Sequence, residues 1–402
     1  MDIELYLPRI VDGPLSSLIQ AVPVVLVDGA RASGKTTSAS RLANSTLRLP
    51  QDLALLQSDP LQVLTSMKRP VLIDEWQLAG IEVLWTIKQI VDADPTPGSF
   101  ILTGSVEPES YGSTYPLTGR SARVLLRPMN RREKLGAGNE VGWLDRLASG
   151  EIFTTNPNGD RAELDLLVES GFPGAAPKHD PREWLRAYAS TVAERSVAER
   201  RDPERVGRLL RVLSELESQA VPDETVWRAA DINRETLYSY RDMLARAHVV
   251  TPLPAWETNR LKRITSYPKR QLVDTALALA LAGIDANELA SNPTLAGRYV
   301  ESFVVAQLRP EVDAAGGYLS HLRTRGGDQE VDIVIDIGGQ LIAIDVKAGV
   351  NPTPRDARHL SWFRDRMDAR IDASVVLHRG EATFELVDGV WAVPISSLWS
   401  TS

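Results

Sequence analysis

Between Gly29 and Thr36 the chain reads Gly-Ala-Arg-Ala-Ser-Gly-Lys-Thr, which matches the pattern GxxxxGK[ST] with no departure. Glycines at this spacing let successive backbone N–H groups turn inward around a phosphate. A helix starting behind them adds its positive end. In such a loop the lysine, Lys35, neutralises β- and γ-phosphates, and the hydroxyl of Thr36 ligates Mg2+. The expected nucleotide contacts are Gly29, Ala30, Arg31, Ala32, Ser33, Gly34, Lys35, Thr36 and Thr37.

Further along, Val71-Leu72-Ile73-Asp74-Glu75 places two carboxylates at the end of an apolar run. In this position Asp74 is expected to hold Mg2+ and Glu75 to polarise an attacking water. A third apolar run ends Thr103-Gly104-Ser105, and Ser105 or Thr103 is the expected γ-phosphate sensor. Arg120 opens a basic cluster with Arg123, Arg127, Arg131 and Arg132. Two readings of that cluster stand side by side: an arginine finger, in cis or from a neighbouring subunit, or a solvated basic face.

A second group of chemically able residues lies near the other end. Asp332 sits on one alternating run and Asp345-Val346-Lys347 on the next, with Gly338-Gly339 between them as a hairpin turn. Side chains alternate along a strand, so Asp345 and Lys347 share a face, expected to be the polar one carrying Ala343. Glu301, on a preceding helix, can add a third carboxylate. Such a set suits Mg2+ or Mn2+, with Asp332 and Asp345 as the metal ligands. Glu301, Asp332, Asp345 and Lys347 together are candidate catalytic residues, the lysine positioning a water or stabilising a pentacovalent phosphate.

These residues need elements to hold them. Apolar runs at 22–28, 70–74 and 99–103, with helical segments at about 35–45 and 79–92 between them, predict a parallel sheet flanked by helices. From about 181 the periodicity is helical: Trp184, Leu185, Tyr188 and Val192, then Val206, Leu209, Leu210 and Leu213. Residues 226–250 read as helix, turn, then a helix capped by Asn233. Val249–Leu253 could start a wing strand. After Pro268 come a helix near 296–309, the hairpin, a helix at about 354–368 and a strand at 373–377. The fold class is α/β multidomain: 1–135 a P-loop domain, 136–268 helical and winged-helix-like, 269–402 a small α/β domain.

Composition narrows the rest. With no Cys among 402 residues, disulfides, thiolate metal sites and thiol nucleophiles are excluded. Five scattered His residues, with no HxxxH or HExxH among them, argue against a His-built zinc site, and no apolar run reaches the roughly 18 residues needed to span a bilayer. A soluble cytoplasmic protein is expected. The net charge of −8 argues against a general nucleic-acid coat protein but leaves room for a local basic groove. Of the 45 basic residues only eight are Lys; Lys35 and Lys347 fall inside the two motifs, and Lys269 begins a segment with no assigned role.

Taken together, the chain resembles a prokaryotic family of AAA-type ATP-binding proteins: a P-loop ATPase domain, a winged-helix segment, then a restriction-endonuclease-like domain. The resemblance rests on GARASGKTT (29–37), VLIDE (71–75), FILTGS (100–105), LTGRSARVLLRP (117–128), GFPGAA (171–176), the Thr236–Trp256 stretch, KRQLVDTALALALAG (269–283), the helix start at Gly297–Glu301 and EVDIVID…IAIDVKAG (330–349). It implies ATP binding by Gly34, Lys35, Thr36 and Asp74, and a nuclease-like centre at Glu301, Asp332, Asp345 and Lys347. One departure is Asp345, where this family often carries Glu.

Two readings of function follow. In the first, a Mg2+-dependent ATPase is coupled to a nuclease-like module that acts on DNA, with Arg234, Arg241 and Arg246 of the helix-turn-helix contacting phosphates. In the second, a nucleotide-switched signalling or assembly protein carries an inert C-terminal domain. A small-molecule kinase is weaker, because no acceptor pocket is legible. ATP is the expected partner, DNA and a second copy of the chain are open, and a membrane is not expected.

Overall fold

The computed structural model of the 402-residue chain describes every residue except 1–5, 105–114, 154–161, 177–179, 197–200, 257–266, 325–326, 368–370 and 401–402. By its internal contacts the chain divides into two units. One comprises Met1–Pro128 with Leu244–Val249, the other Met129–Met243 with Val250–Ser402. Apart from Leu244–Val249, the second and third segments expected from the sequence thus fall within one unit.

The first unit runs α1 (Asp12–Ala21), β1 (Val24–Asp28), α2 (Lys35–Ser40), β2 (Ser45–Arg48), α3 (Leu53–Ser58), α4 (Pro60–Ser66), β3 (Val71–Asp74), α5 (Ile81–Ala93), β4 (Phe100–Thr103) and β5 (Ser121–Leu125). The five strands lie in the order β2-β3-β4-β1-β5, and every neighbouring pair is parallel. Strand β4 therefore separates the strand before the phosphate loop from the strand ending in Asp74. Alternation sorts the side chains to two faces. Val24, Leu26, Val71, Ile73, Phe100 and Leu102 pack with Leu56, Leu64, Leu84 and Ile87 on one side. Val25, Val27, Leu72 and Ile101 pack with Leu15 and Ala39 on the other. Both faces being covered, the three central strands β3, β4 and β1 are apolar almost throughout, as a buried parallel sheet requires. Each fully buried Val, Leu or Ile stabilises this arrangement by about 1.5–3 kcal/mol. Helix α2 is shorter than the periodicity suggests. Its run of Thr36, Thr37, Ser38 and Ser40 is made of weak helix formers, and the chain leaves it at Arg41.

The second unit opens with α6 (Arg131–Lys134), α7 (Trp143–Ala148), α8 (Arg182–Arg195), α9 (Pro203–Glu215), α10 (Asp223–Ala229) and α11 (Arg234–Arg246), the last of which runs into the Leu244–Val249 piece. It continues with α12 (Thr275–Ala282), α13 (Ala286–Ser291), α14 (Pro293–Ala314), β6 (Tyr318–Arg323), β7 (Glu330–Ile337), β8 (Gln340–Lys347), α15 (Arg358–Met367), β9 (Ile371–His378), β10 (Phe384–Val387) and β11 (Val390–Pro394). The six strands form a mixed sheet in the order β10-β11-β9-β8-β7-β6. Strands β7 and β8 form the antiparallel hairpin expected across Gly338-Gly339, and β9 joins β8 in parallel.

The segment expected to start a wing forms no named strand among the described residues, but Val250 and Leu253 make isolated antiparallel bridges with Leu272 and Lys269. One expectation needs correction. The β8 face carrying Ala343, expected to be the polar one, is partly core. Ala343 is fully buried with Leu360 and Phe363 of α15, and Asp345 is 2% exposed. Asn233 does cap α11, its Oδ1 accepting from the Thr236 amide at 2.8 Å. No helix among the described residues is long and apolar enough to cross a membrane.

Candidate functional site

The loop after β1 is built by backbone needs that only particular residues meet. At Gly29 φ is +146°, and a Cβ there would meet the Leu126 carbonyl oxygen at 2.1 Å, so no side chain fits. Gly34 adopts φ +100° immediately before α2, and Ala32 is also left-handed at φ +62°. Arg9 braces the loop from outside its sequence. Its guanidinium donates to the Ser33 carbonyl (3.0 Å) and to the Arg127 carbonyl (2.6 Å). Ser33 and Lys35 are buried, whereas Arg31 and Thr37 are exposed.

Lys35 folds back on the loop. Its Nζ donates to the carbonyls of Gly29 (3.0 Å) and Ala30 (2.9 Å), and it is 6% exposed. Burial lowers its pKa to about 8, against the opposing pull of the Glu75, Asp28 and Asp74 carboxylates. A buried ammonium held by neutral carbonyls is poised to gain from an arriving anion.

Asp74 lies at the end of β3, where Oδ1 accepts from Thr36 Oγ1 (2.7 Å) and from Thr103 Oγ1 (2.5 Å). Three elements thus converge on one carboxylate: the first turn of α2, the end of β3 and the end of β4. Thr36 and Asp74 supply the hard oxygen donors that Mg2+ prefers, and they already touch, so the residues present fit that ion. Glu75 follows in the left-handed region at φ +56°, a conformation costing about 1–2 kcal/mol in a residue with a side chain. Gln77 Nε2 donates to its Oε2 at 2.5 Å and so aims the carboxylate. Gly104 makes room for this turn, since a Cβ there would stand 2.8 Å from Trp76 Nε1 and 2.9 Å from Gln77 Oε1.

Of the other expected contacts, Ser105 lies outside the described residues. Arg120 is engaged by Asp92 of α5 and by the Thr118 carbonyl. Arg123 pairs with the buried Asp28 at 2.9 Å, and Arg132 with Glu311 at 3.3 Å, so this cluster is not a uniformly solvated face. Two of the helix-turn-helix arginines have local partners as well. Arg234 donates to Tyr238 Oη (3.1 Å) and Arg241 to Asp223 (3.3 Å).

In the second unit, Asp332 and Asp345 are joined through the hairpin. The Asp332 amide donates to Asp345 Oδ1 (3.3 Å), and the Val346 amide to Asp332 Oδ2 (2.9 Å). Lys347 Nζ is 4.0 Å from Asp345 Oδ2. Glu301, buried on α14, joins the group through a residue to which the sequence assigns no role: Lys269. Its Nζ lies 2.9 Å from Glu301, 3.1 Å from Glu330 and 3.2 Å from Asp332. Burial and the neighbouring Asp332 hold the Asp345 carboxyl above the usual range. For Lys269, burial acts to lower the pKa, but Glu301, Asp332 and Glu330 outweigh it and the net direction is up. Among the described residues no group of three or more His, Asp or Glu side chains is arranged to hold a metal ion.

Residues 21–135 match the family model described as an AAA domain, so this part of the chain carries an AAA-type P-loop domain. Residues 162–288 and 296–398 match two domains of unknown function, DUF8612 and DUF4143. No protein of curated function matches the chain. Among solved structures, a Walker-type ATPase of Pyrococcus abyssi matches at 16% identity and a TM-score of 0.42, over 70% of this chain and 99% of that one. Protein VC1899 from Vibrio cholerae matches at 12% identity and 0.20, over 94% and 95%. A STAND signal-transduction ATPase with a tetratricopeptide-repeat sensor from Pyrococcus horikoshii matches at 14% identity and 0.23, over 78% and 48%. At these TM-scores the three likenesses carry no argument.

Proposed function

We propose that the protein binds ATP with Mg2+ at the phosphate loop of its first unit and hydrolyses it there. We further propose that the nucleotide state sets the conformation of a second unit that is not itself a working nuclease. The observation that carries the first part is the convergence of Thr36 and Thr103 on Asp74 beside a loop that holds Lys35 on its own carbonyls. On ATP binding, the Lys35 ammonium exchanges the Gly29 and Ala30 carbonyls for β- and γ-phosphate oxygens, and the loop amides cradle the β-phosphate. Thr36 and Asp74 would hold Mg2+, which neutralises charge on the phosphates when bound. Glu75, aimed by Gln77, accepts a proton from water as the water oxygen attacks the γ-phosphorus. The bond from that phosphorus to the ADP oxygen then breaks, leaving ADP and phosphate.

Glu75→Gln tests this assignment. The variant should bind ATP as the wild type does and lose turnover by on the order of 10²–10⁴-fold. Phosphate release at the wild-type rate would remove Glu75 from the role of base.

For the second unit the nuclease-like reading relies on Asp332, Asp345 and Lys347 forming a metal centre with Glu301. The competing reading, a nucleotide-switched signalling or assembly module, is favoured by a specific observation: two of the three carboxylates of the expected centre, Glu301 and Asp332, already contact Lys269, together with Glu330. A nuclease assay on single- and double-stranded DNA, with Mn2+ or Mg2+ and with or without ATP, separates the two. Cleavage that disappears in Asp345→Ala would restore the nuclease reading.

A further inference from the structure

We infer that the buried carboxylate cluster of the second unit takes its cation from the chain itself, the ammonium of Lys269 occupying the place a divalent metal would take. The geometry is that of a filled site. An ammonium has three N–H donors, and Lys269 Nζ faces three carboxylate oxygens, Glu301 Oε1 at 2.9 Å, Glu330 Oε1 at 3.1 Å and Asp332 Oδ1 at 3.2 Å. Lys269 is 1% exposed, so its donors are not shared with solvent. The other Asp332 oxygen, Oδ2, accepts the Val346 amide at 2.9 Å.

The lysine is also fixed from behind. Its backbone exchanges two hydrogen bonds with Leu253, Lys269 N to Leu253 O at 2.9 Å and Leu253 N to Lys269 O at 3.0 Å. Withdrawing the side chain would strand the largely buried Glu301 and Asp332 carboxylates beside the partly exposed Glu330. Asp345 Oδ2 is buried without a hydrogen-bond partner, and the cation nearest to it is the Lys347 ammonium, 4.0 Å away. Mg2+ and Mn2+ require several converging oxygen ligands, and among the described residues no group of three or more His, Asp or Glu side chains is arranged to supply them. The residues therefore do not fit the metal that a nuclease-like centre would need. Lys269 instead ties helix α14, through Glu301, to strand β7, through Glu330 and Asp332.

The test is a Mn2+ titration of the full-length protein without nucleotide, following free Mn2+ by electron paramagnetic resonance and the thermal midpoint in parallel. The wild type should leave Mn2+ free through the millimolar range, with no shift of its midpoint. Lys269→Met removes the charge while keeping an unbranched apolar chain. It should melt at a lower temperature, bind about one Mn2+ per chain and regain its midpoint as Mn2+ is added. Asp332→Asn in that background should abolish the gain. One Mn2+ per chain on the wild type, lost in Asp345→Asn, would overturn the inference, and so would a folded Lys269→Met that binds none. Should Lys269→Met fail to fold, the wild type and Asp345→Asn decide alone, because binding at the phosphate loop does not depend on Asp345.

Discussion

Lys35 and Lys269 are both buried ammoniums on an Arg-rich chain, and their surroundings differ in one respect that sets their roles. Lys35 is 6% exposed and meets two neutral carbonyls, with carboxylates acting on it only from beyond hydrogen-bond distance. Its positive charge is under-compensated, and burial draws its pKa down to about 8. Lys269 is 1% exposed and meets three carboxylates directly, which holds its pKa above the usual lysine value despite burial. A buried cation short of negative charge is a receptor for an anion. A buried cation with its donors filled by carboxylates is a structural part, and breaking one partner away is costly.

This comparison can be broken at several points. The largest effect is expected for Lys35→Ala, which should reduce Mg2+·ATP affinity by more than 100-fold in a calorimetric titration while leaving the thermal midpoint of the free protein near the wild-type value. Unchanged affinity would show that Lys35 is not the anion receptor. Lys269→Met should do the reverse, leaving ATP affinity intact and lowering the stability of the second unit by about 3–5 kcal/mol, as expected when a buried pair loses one partner. Denaturant melts followed by intrinsic fluorescence would measure this, and a loss below 1 kcal/mol would mean that the three contacts are not a filled site.

Glu217 offers a third way of burying a charged group, and a smaller effect. It is 0% exposed, accepts from the Leu272 amide and from Ser302 Oγ, and burial raises its pKa to about 8. The folded state therefore takes up a proton that the unfolded chain releases near the ordinary carboxylate value. The stability this provides is full below that value and is lost as pH rises toward 8. Glu217→Gln keeps a neutral group of the same shape, so it should flatten the decline of the thermal midpoint between pH 5 and 8, a difference of about 1–3 kcal/mol. A midpoint profile parallel to the wild type would show that Glu217 does not titrate in this window. The smallest effect is expected for Thr103→Val, which removes one of the two donors on Asp74 and should weaken Mg2+·ATP binding severalfold, about 1 kcal/mol. No change would leave Thr36 as the only hydroxyl that matters to Asp74.

The first unit was largely legible before its structure, for a reason visible in its residues. The runs Val24–Asp28, Val71–Asp74 and Phe100–Thr103 are apolar because both sheet faces are covered, and the last two end at Asp74 and Thr103, which meet at the site. Thr103, one of two expected sensors, donates to Asp74, and the other, Ser105, lies outside the described residues. Arg9 carried no signal, since a single arginine bracing a carbonyl has no pattern to recognise. In the second unit the β7–β8 hairpin and the capped helix α11 were readable. The buried Ala343 face was not, because strand periodicity tells which residues share a face but not what covers it.

By itself the sequence determined the phosphate loop. Its function is carried by the backbone of eight consecutive residues, and Gly29, Gly34, Lys35 and Thr36 stand at positions that local geometry dictates. Only the tertiary structure decided the second site, because Lys269 lies 32 residues from Glu301 and 63 from Asp332. What brings them together is the pairing of Lys269 with Leu253 and the packing of α14 against the sheet. Those long-range contacts leave no spacing rule in the chain, and they turn a set of carboxylates that reads as a metal centre into one already neutralised from within.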